Sequence, residues 1–362
     1  MYPRIIGEIR ATLYSYVIIL NWNGWRDTIE CLESVLRQDY ERFRVIVCDN
    51  ASGDDSLDHI AEWARGHLAA RCFSPELQHL TDPPIPKPVP FLRIKANDQI
   101  GFESRAERLF LVQTGANLGF SGGNNVGLRL ALGAKDFEYA WLLNNDTVVD
   151  PQALRSLVAE MRNRPDVGIC GSKLLYYHAP QRVQALGGST YNRWTGRGAC
   201  IGRGWEISKI PSRQEVEAKM HLVFGASMFV RRSFLERIGL LDERYFLYFE
   251  ENDWAARAKG QFALAYCPGS IVYHKEGASI GSSEIKGKPR SGLSEWFASR
   301  NRVLFTRSHY PAALATVLLA MLMSALHRLA SGQIKNFIML IRGGFSGLVV
   351  PKRPSHGQYY SK

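Results

Sequence analysis

The residues best suited to chemistry are short polar clusters that follow apolar runs. Residues 139–150 read Tyr-Ala-Trp-Leu-Leu-Asn-Asn-Asp-Thr-Val-Val-Asp, and the apolar run at 140–143 stops on Asn144, Asn145 and Asp146. Polar groups at the carboxyl end of a buried strand lie where open α/β sheets bind ligands. A carboxylate with an amide beside it offers hard oxygen ligands to Mg2+ or Mn2+ carrying a diphosphate. The same residues also suit a turn leading into a helix that opens at Asp150-Pro151.

Four more segments have similar double readings. Asp49-Asn-Ala-Ser52 ends another apolar run, and its carboxylate can accept hydrogen bonds from a pyrimidine or a ribose, or close an Asx turn. Residues 117–125, Asn-Leu-Gly-Phe-Ser-Gly-Gly-Asn-Asn, let backbone approach a ligand and point helix N–H groups at a phosphate, although they do not spell G-x-G-x-x-G. Residues 248–254, Tyr-Phe-Glu-Glu-Asn-Asp-Trp, place three carboxylates among aromatics. One of these carboxylates suits a general base; as a group they also suit the acidic first turn of a helix. His274 completes a cation site with Asp146 if the fold joins them, and is otherwise structural.

The elements that must position these groups alternate. Residues 16–20 form a buried-strand pattern, followed by the turn Asn21-Trp-Asn-Gly24, helical spacing over 28–38 and a strand at 43–48. Strands at 109–112 and 140–143 and helices ending near 132 and 163 continue the alternation, which implies a parallel sheet with right-handed crossovers. Six prolines between about 65 and 108 mark an inserted, partly extended surface loop. Further on, 187–204 reads as a Gly/Arg-rich loop near the site, 221–230 as one strand, and 262–266 and 271–273 as two short ones. From 292 the chain reads as helical, with a break at Pro311.

The 362 residues suit one large domain with an appendage: a catalytic domain over 1–298 and a helical region over 299–362. Net charge is +11, and nine Lys and Arg with no Asp or Glu fall between Arg300 and Lys362. This tail is rich in Leu, Ala and Met, so an anionic membrane surface suits it as partner and nucleic acid does not. Packing on the protein itself, or on a second subunit of a homo-oligomer, is the alternative. The uncharged stretch 311–326 falls short of the roughly 20 residues a bilayer span needs. Six scattered cysteines without C-x-x-C spacing and a short N-terminal apolar run imply a reduced cytoplasmic protein, peripheral on the inner face of the membrane.

Taken in order, these segments resemble the family 2 glycosyltransferases of the GT-A fold, and within them the rhamnosyltransferase-like branch of bacterial surface-polysaccharide synthesis. The likeness covers roughly 15–65 and 108–310. It implies an α/β nucleotide-sugar-binding fold with a mostly parallel central sheet, flanking helices and C-terminal helices. It also implies inverting transfer from a nucleotide-diphosphate sugar, best matched by dTDP-rhamnose or alternatively by a UDP-sugar, to a saccharide or lipid-linked hydroxyl. By resemblance, Asp49 contacts the base, with Asn21, Asn117, Gly119 and Asn145 in the same nucleotide-sugar set. Asp146 and His274 hold Mg2+ or Mn2+, Glu251 is the catalytic base, and Gly225, Ala226, Glu250 and Asp253 line the acceptor side. Arg197 and Arg203 suit a solvated loop or further contacts to diphosphate or acceptor. The sequence departs from the family in carrying a single carboxylate at 144–146 and in its long Pro-rich insert. A nucleotidyltransferase would carry a Gly-rich basic loop after the first strand, where this chain has Asn21-Trp-Asn-Gly24. A non-catalytic sugar- or membrane-binding protein would have no need of Asp146 and Glu251.

Overall fold

The computed structural model describes residues 13–98, 106–276 and 291–351. It divides into two compact units, Met1–Tyr191 with Gly198–Ser279, and Asn192–Arg197 with Ile280–Lys362.

Thirteen strands follow one another along the described chain. They are β1 (Tyr14–Asn21), β2 (Phe43–Asp49), β3 (Phe91–Lys95), β4 (Leu109–Gln113), β5 (Phe137–Asn144), β6 (Thr147–Val149), β7 (Val167–Tyr176), β8 (Ala179–Leu186), β9 (Gly188–Asn192), β10 (Arg197–Cys200), β11 (Leu222–Val223), β12 (Ser227–Arg231) and β13 (Ala263–His274). The main sheet runs β3-β4-β2-β1-β5-β12-β7-β13-β6, with β8 beside β7. Its first five strands are parallel, as the alternation of strand and helix implies. The chain leaves β1 on one side through β2 and β4 and returns on the other through β5, so a switch point opens beside the carboxyl end of β1.

Both faces of this sheet are covered, which is why β1 reads as a continuous apolar run. Val17 and Ile19 face one core with Val45 and Val47, and Tyr16 and Ile18 face the other with Ile46 and Cys48. All eight are buried, and each large apolar side chain so placed contributes about 1.5–3 kcal/mol. Helices Trp25–Val35, Ser56–Arg65 and Ala153–Asn163 supply the first core, and Gly119–Ala134, Arg232–Ile238 and Glu250–Ala258 the second.

Several expectations need correction. The Gly/Asn-rich segment is a helix from Gly119 onward, with only 114–118 outside it. A Cβ at Gly123 would stand 2.3 Å from Leu20 Cδ1, and one at Gly127 2.6 Å from Ile18 Cγ2, so these glycines let the helix lie close on β1. The Pro-rich insert carries the 3-10 turn Pro75–Leu80 and contributes the edge strand β3; residues 99–105 of it lie outside the described residues. Its anchor is the fully buried carboxylate of Glu33, which accepts hydrogen bonds from Trp63 Nε1 (2.9 Å), the Ile85 amide (2.9 Å) and Lys87 Nζ (3.0 Å). The Gly/Arg-rich stretch is the β9–β10 hairpin rather than an open loop. The single strand expected over 221–230 is two, broken at 224–226, and the two expected near 270 are one strand with a register shift between Cys267 and Ile271.

In the second unit, helices Gly292–His309, Leu314–Ala330 and Ile334–Val349 share a small core of Val303, Val317, Met321, Ala325 and Leu340. The expected boundary at 298 falls inside the first of these helices. The helical stretch Pro311–Ala330 has 20 residues and is long and apolar enough to cross a membrane. It extends past the uncharged stretch 311–326 to take in His327 and Arg328, which stand in its last turn, where a long arginine side chain can reach an interface. Lys352, Arg353 and Lys362 of the basic tail lie outside the described residues.

Candidate active site

The parallel register aligns the strand ends that carry polar residues. Asn21 stands opposite Asp49, and Leu20 opposite Asn144. Asn21 Nδ2 donates to Asp49 Oδ1 (2.7 Å), and the Ser52 hydroxyl donates to the same oxygen (2.6 Å) while its amide donates to Oδ2 (3.1 Å). On its other side, Asn21 Oδ1 accepts from the Thr28 hydroxyl (2.8 Å). Asn145 turns its amide into this same knot, donating to Thr28 Oγ1 (3.1 Å) and to the Gly24 carbonyl (3.3 Å). A Cβ at Gly24 would stand 2.8 Å from Asn145 Nδ2, so a larger residue there would displace that amide. Asn145 therefore braces the turn after β1.

Asn117 lies beside this group, its side-chain oxygen accepting from Asn50 Nδ2 (3.0 Å) and from the Gly119 amide (3.0 Å). The Leu118 amide donates to Asn50 Oδ1 (2.9 Å) and the Phe120 amide to the Phe246 carbonyl (2.7 Å). These three amides at the helix start are thus bonded within the protein, contrary to the expectation that they face a phosphate. Gly119 is fixed by its left-handed φ of 69° and by the Phe246 carbonyl, 2.2 Å from where a Cβ would be.

Asp146 and His274 meet because β6 turns back antiparallel against β13, with Thr147 opposite His274. Asp146 Oδ1 lies 3.1 Å from His274 Nε2, and both residues are buried. Burial opposes the charge on Asp146, yet the His274 charge and hydrogen bond, with Lys275 nearby, hold its carboxyl below the usual range. Burial likewise opposes the charge on His274, and Asp146 reverses that, raising it. A carboxylate oxygen and an imidazole nitrogen at this spacing fit a divalent ion, since neighbouring ligands of an octahedral ion bound at about 2.1 Å stand about 3.0 Å apart. Among the described residues no three His, Cys, Asp or Glu converge, so the protein's share of such a site is this pair.

The next residue, Lys275, pins the end of β13 to the first helix through Asp27 and Glu30, and the Tyr177 hydroxyl also donates to Glu30. Sequence reasoning missed this ion cluster. Its signal is Glu30 and Glu33 on the helix's buried side.

Glu250 and Glu251 open a helix behind two consecutive left-handed residues, Tyr248 (φ 70°) and Phe249 (φ 73°). Such backbone is strained for bulky side chains and concentrates at functional sites. Burial raises the Glu251 carboxyl to about 7, against the pull of its backbone amide. Burial and then the neighbouring Glu251 charge raise Glu250 well above the usual range. One oxygen of each, Oε2, is buried without a hydrogen-bond partner. The break between β11 and β12 puts Gly225 against this pair: its Cβ position is 3.8 Å from Glu251 Oε1 and from Phe120 Cζ. Ala226 is buried, and its carbonyl accepts from the Asn144 amide (3.0 Å). Phe224 sets its ring edge against His274, centroids 6.5 Å apart, so the broken segment touches both carboxylate groups' surroundings.

Asp253 departs from its expected place on the acceptor side. Its carboxylate accepts from Arg257 Nε (2.7 Å), whose other nitrogens bond the Ile238 and Leu240 carbonyls, so it holds the helix to the chain before it. Arg203 is bonded to Tyr176 and Glu276, and Arg197 to Ser324 in the second unit.

Comparison with known proteins bears on the family and the fold. The profile described as Glycosyl transferase family 2 matches residues 16–74, and that described as Glycosyltransferase like family 2 matches residues 98–290. The low-salt glycan biosynthesis hexosyltransferase Agl10 of Haloferax volcanii is 26% identical over 149 residues, 41% of this chain and 45% of that protein. The N-acetylglucosaminyl-diphospho-decaprenol L-rhamnosyltransferase of Mycobacterium tuberculosis is 28% identical over 191 residues, 47% of this chain and 60% of that protein. The chain thus spans about half the length of the curated relatives it matches. A crystal structure of GalNAc-T7 with UDP, GalNAc and Mn2+ superposes with a TM-score of 0.53 at 14% identity, over 82% of this chain and 48% of that one. The match over 98–290 covers more than half of the sequence, and with the fold it establishes that the chain belongs to the family 2 glycosyltransferases and has a GT-A fold.

Proposed function

We propose that this chain is an inverting glycosyltransferase that moves a sugar from a nucleotide-diphosphate donor to an acceptor hydroxyl. The observation that carries the reading is Glu251, a half-buried residue whose carboxyl, with Oε2 shut off from water, is raised to about 7 and lies beside Gly225. A base with that affinity for protons is poised to take one near neutral pH. In the proposed step the acceptor oxygen bonds to the anomeric carbon as the bond to the diphosphate oxygen breaks. The acceptor proton passes to Glu251, and the nucleoside diphosphate leaves with the electron pair. Asp49, held by Asn21 and Ser52, meets the base or ribose. Asp146 and His274 would hold Mg2+ or Mn2+, which supplies positive charge to the leaving diphosphate when bound.

The first candidate donor is dTDP-rhamnose and the first candidate acceptor a lipid-linked saccharide. Support comes from the Mycobacterium tuberculosis relative, named for L-rhamnose transfer to N-acetylglucosaminyl-diphospho-decaprenol. Incubating the purified chain with dTDP-rhamnose or UDP-sugars, Mn2+ and a lipid-diphosphate GlcNAc acceptor tests this. A rhamnosylated product whose anomeric configuration is opposite to the donor's is expected. Transfer only from UDP-sugars would replace the donor, and a retained configuration would remove the mechanism.

Exposed apolar residues of the second unit support an acceptor at a membrane surface. Leu319, Leu322, Met323, Leu326, Ile334, Ile338 and Phe345 are exposed. With the basic tail, they suit a peripheral position on the cytoplasmic membrane surface, each basic residue near an anionic leaflet adding about 1 kcal/mol. Flotation on anionic vesicles should be lost when residues 311–362 are removed; a folded truncated chain that floats equally well would refute the position.

A further inference from the structure

We infer that Gln184 is a positioning residue for the cation site, directing the His274 ring so that Nε2 faces Asp146. The inference rests on the proposed metal role of that pair. Gln184 lies in β8, where Leu174 of β7 pairs with Ala185 and Leu175 pairs with Val183. The register skips one residue, and that residue is Gln184. A bulge of this kind re-aims a side chain, and bulges gather next to active sites. Here the result is a fully buried amide whose Oε1 lies 2.8 Å from His274 Nδ1.

A carbonyl oxygen only accepts, so this contact places a proton on Nδ1. Nε2, on the side where Asp146 Oδ1 stands at 3.1 Å, is then the ring nitrogen on which a cation can take the place of a proton. Metal-bound histidines generally donate their other N–H to such an acceptor, which fixes the tautomer and the ring plane. The arrangement is not explained by packing. Gln184 Nε2 is buried without a hydrogen-bond partner, and the neighbours Val183, Ala185 and Leu186 are fully buried apolar residues. A methionine of similar volume would remove the unpaired amide N–H but leave His274 Nδ1–H without its acceptor, so what glutamine adds here is the hydrogen bond to the ring.

The test measures Mn2+ binding to the full chain by electron paramagnetic resonance, with saturating UDP and separately with dTDP, for wild type, Gln184→Met, Gln184→Leu and Gln184→Glu. Thermal midpoint and nucleotide binding in EDTA are read alongside. Gln184→Met should weaken Mn2+ binding about 10–100-fold, with the thermal midpoint and metal-free nucleotide binding near wild type. Gln184→Leu reports the same quantity if the methionine chain does not fold. Gln184→Glu keeps an acceptor for Nδ1–H and cannot donate, so it should stay within a few-fold of wild type. Mn2+ binding unchanged in Gln184→Met or Gln184→Leu overturns the inference, as does a loss in Gln184→Glu equal to theirs. Absence of Mn2+ binding by wild type with either nucleotide instead overturns the metal reading of Asp146 and His274, and this inference with it.

Discussion

Asp146 and Glu251 are both carboxylates withdrawn from water, and their surroundings push them in opposite directions. Asp146 lies in the turn between β5 and β6 next to His274 and Lys275, and these cations hold it ionised against burial. Glu251 stands in the first turn of a helix next to Glu250, and burial raises it to about 7. The difference teaches that the partner, not the residue type, decides what a buried carboxylate can do. One is kept as a permanent anion suited to a cation, the other as a group that exchanges a proton near neutrality.

The largest way to break this comparison is Glu251→Gln. It should lower transfer by about 10²–10⁴-fold while leaving nucleotide affinity near wild type, as measured by steady-state rates and calorimetry. Near-normal turnover would remove Glu251 as the base and bring Glu250 forward. Next comes Asp146→Ala, expected to lose Mn2+ binding and at least about 10²-fold in transfer, since even residues behind a metal ligand cost 10–100-fold. Excess chelator should do the same to wild type; full activity in chelator would count against both Asp146 and His274.

The smallest effect is on stability, and it sharpens the contrast. Glu251 has a raised carboxyl in the folded state, so between the unfolded value near 4.5 and about 7 the folded chain holds a proton that the unfolded chain has released. Stability from this group is therefore lost as pH rises through that window. Glu251→Gln should melt higher than wild type at pH 8, by roughly a few degrees, with the gap closing toward pH 5. Asp146 has the opposite sign: its lowered carboxyl gives stability that is present above the unfolded value and lost as pH falls through the folded one. A Glu251→Gln chain that melts lower than wild type at pH 8 would contradict the contrast.

Much of this was legible in the sequence because it depends on short-range pattern. The apolar runs ending on Asn21, Asp49 and Asn144 announce buried parallel strands, and parallel register aligns their polar ends. The pairing of Asp146 with His274 was expected only conditionally, since it depends on β6 folding back along β13 from 128 positions away, which no local signal encodes. The glycines of 119–127 misled because close helix packing and close ligand approach ask for the same residue. Asp253 misled for a related reason: an acid in a first helical turn looks alike whether it faces a substrate or Arg257. Gln184 was missed, although one amide inside the apolar run Val183-Gln-Ala-Leu186 is the mark of a buried polar group with a partner elsewhere.

The central claim, that Glu251 accepts the acceptor's proton, is tested most directly by the pH dependence of kcat/KM for wild type beside Glu251→Gln. The account predicts that the wild-type value falls about tenfold per unit below a limb near pH 7, as Glu251 becomes protonated, and that the residual rate of the variant has no such limb. A wild-type profile flat from pH 5 to 8, or the same limb persisting in Glu251→Gln, would contradict it.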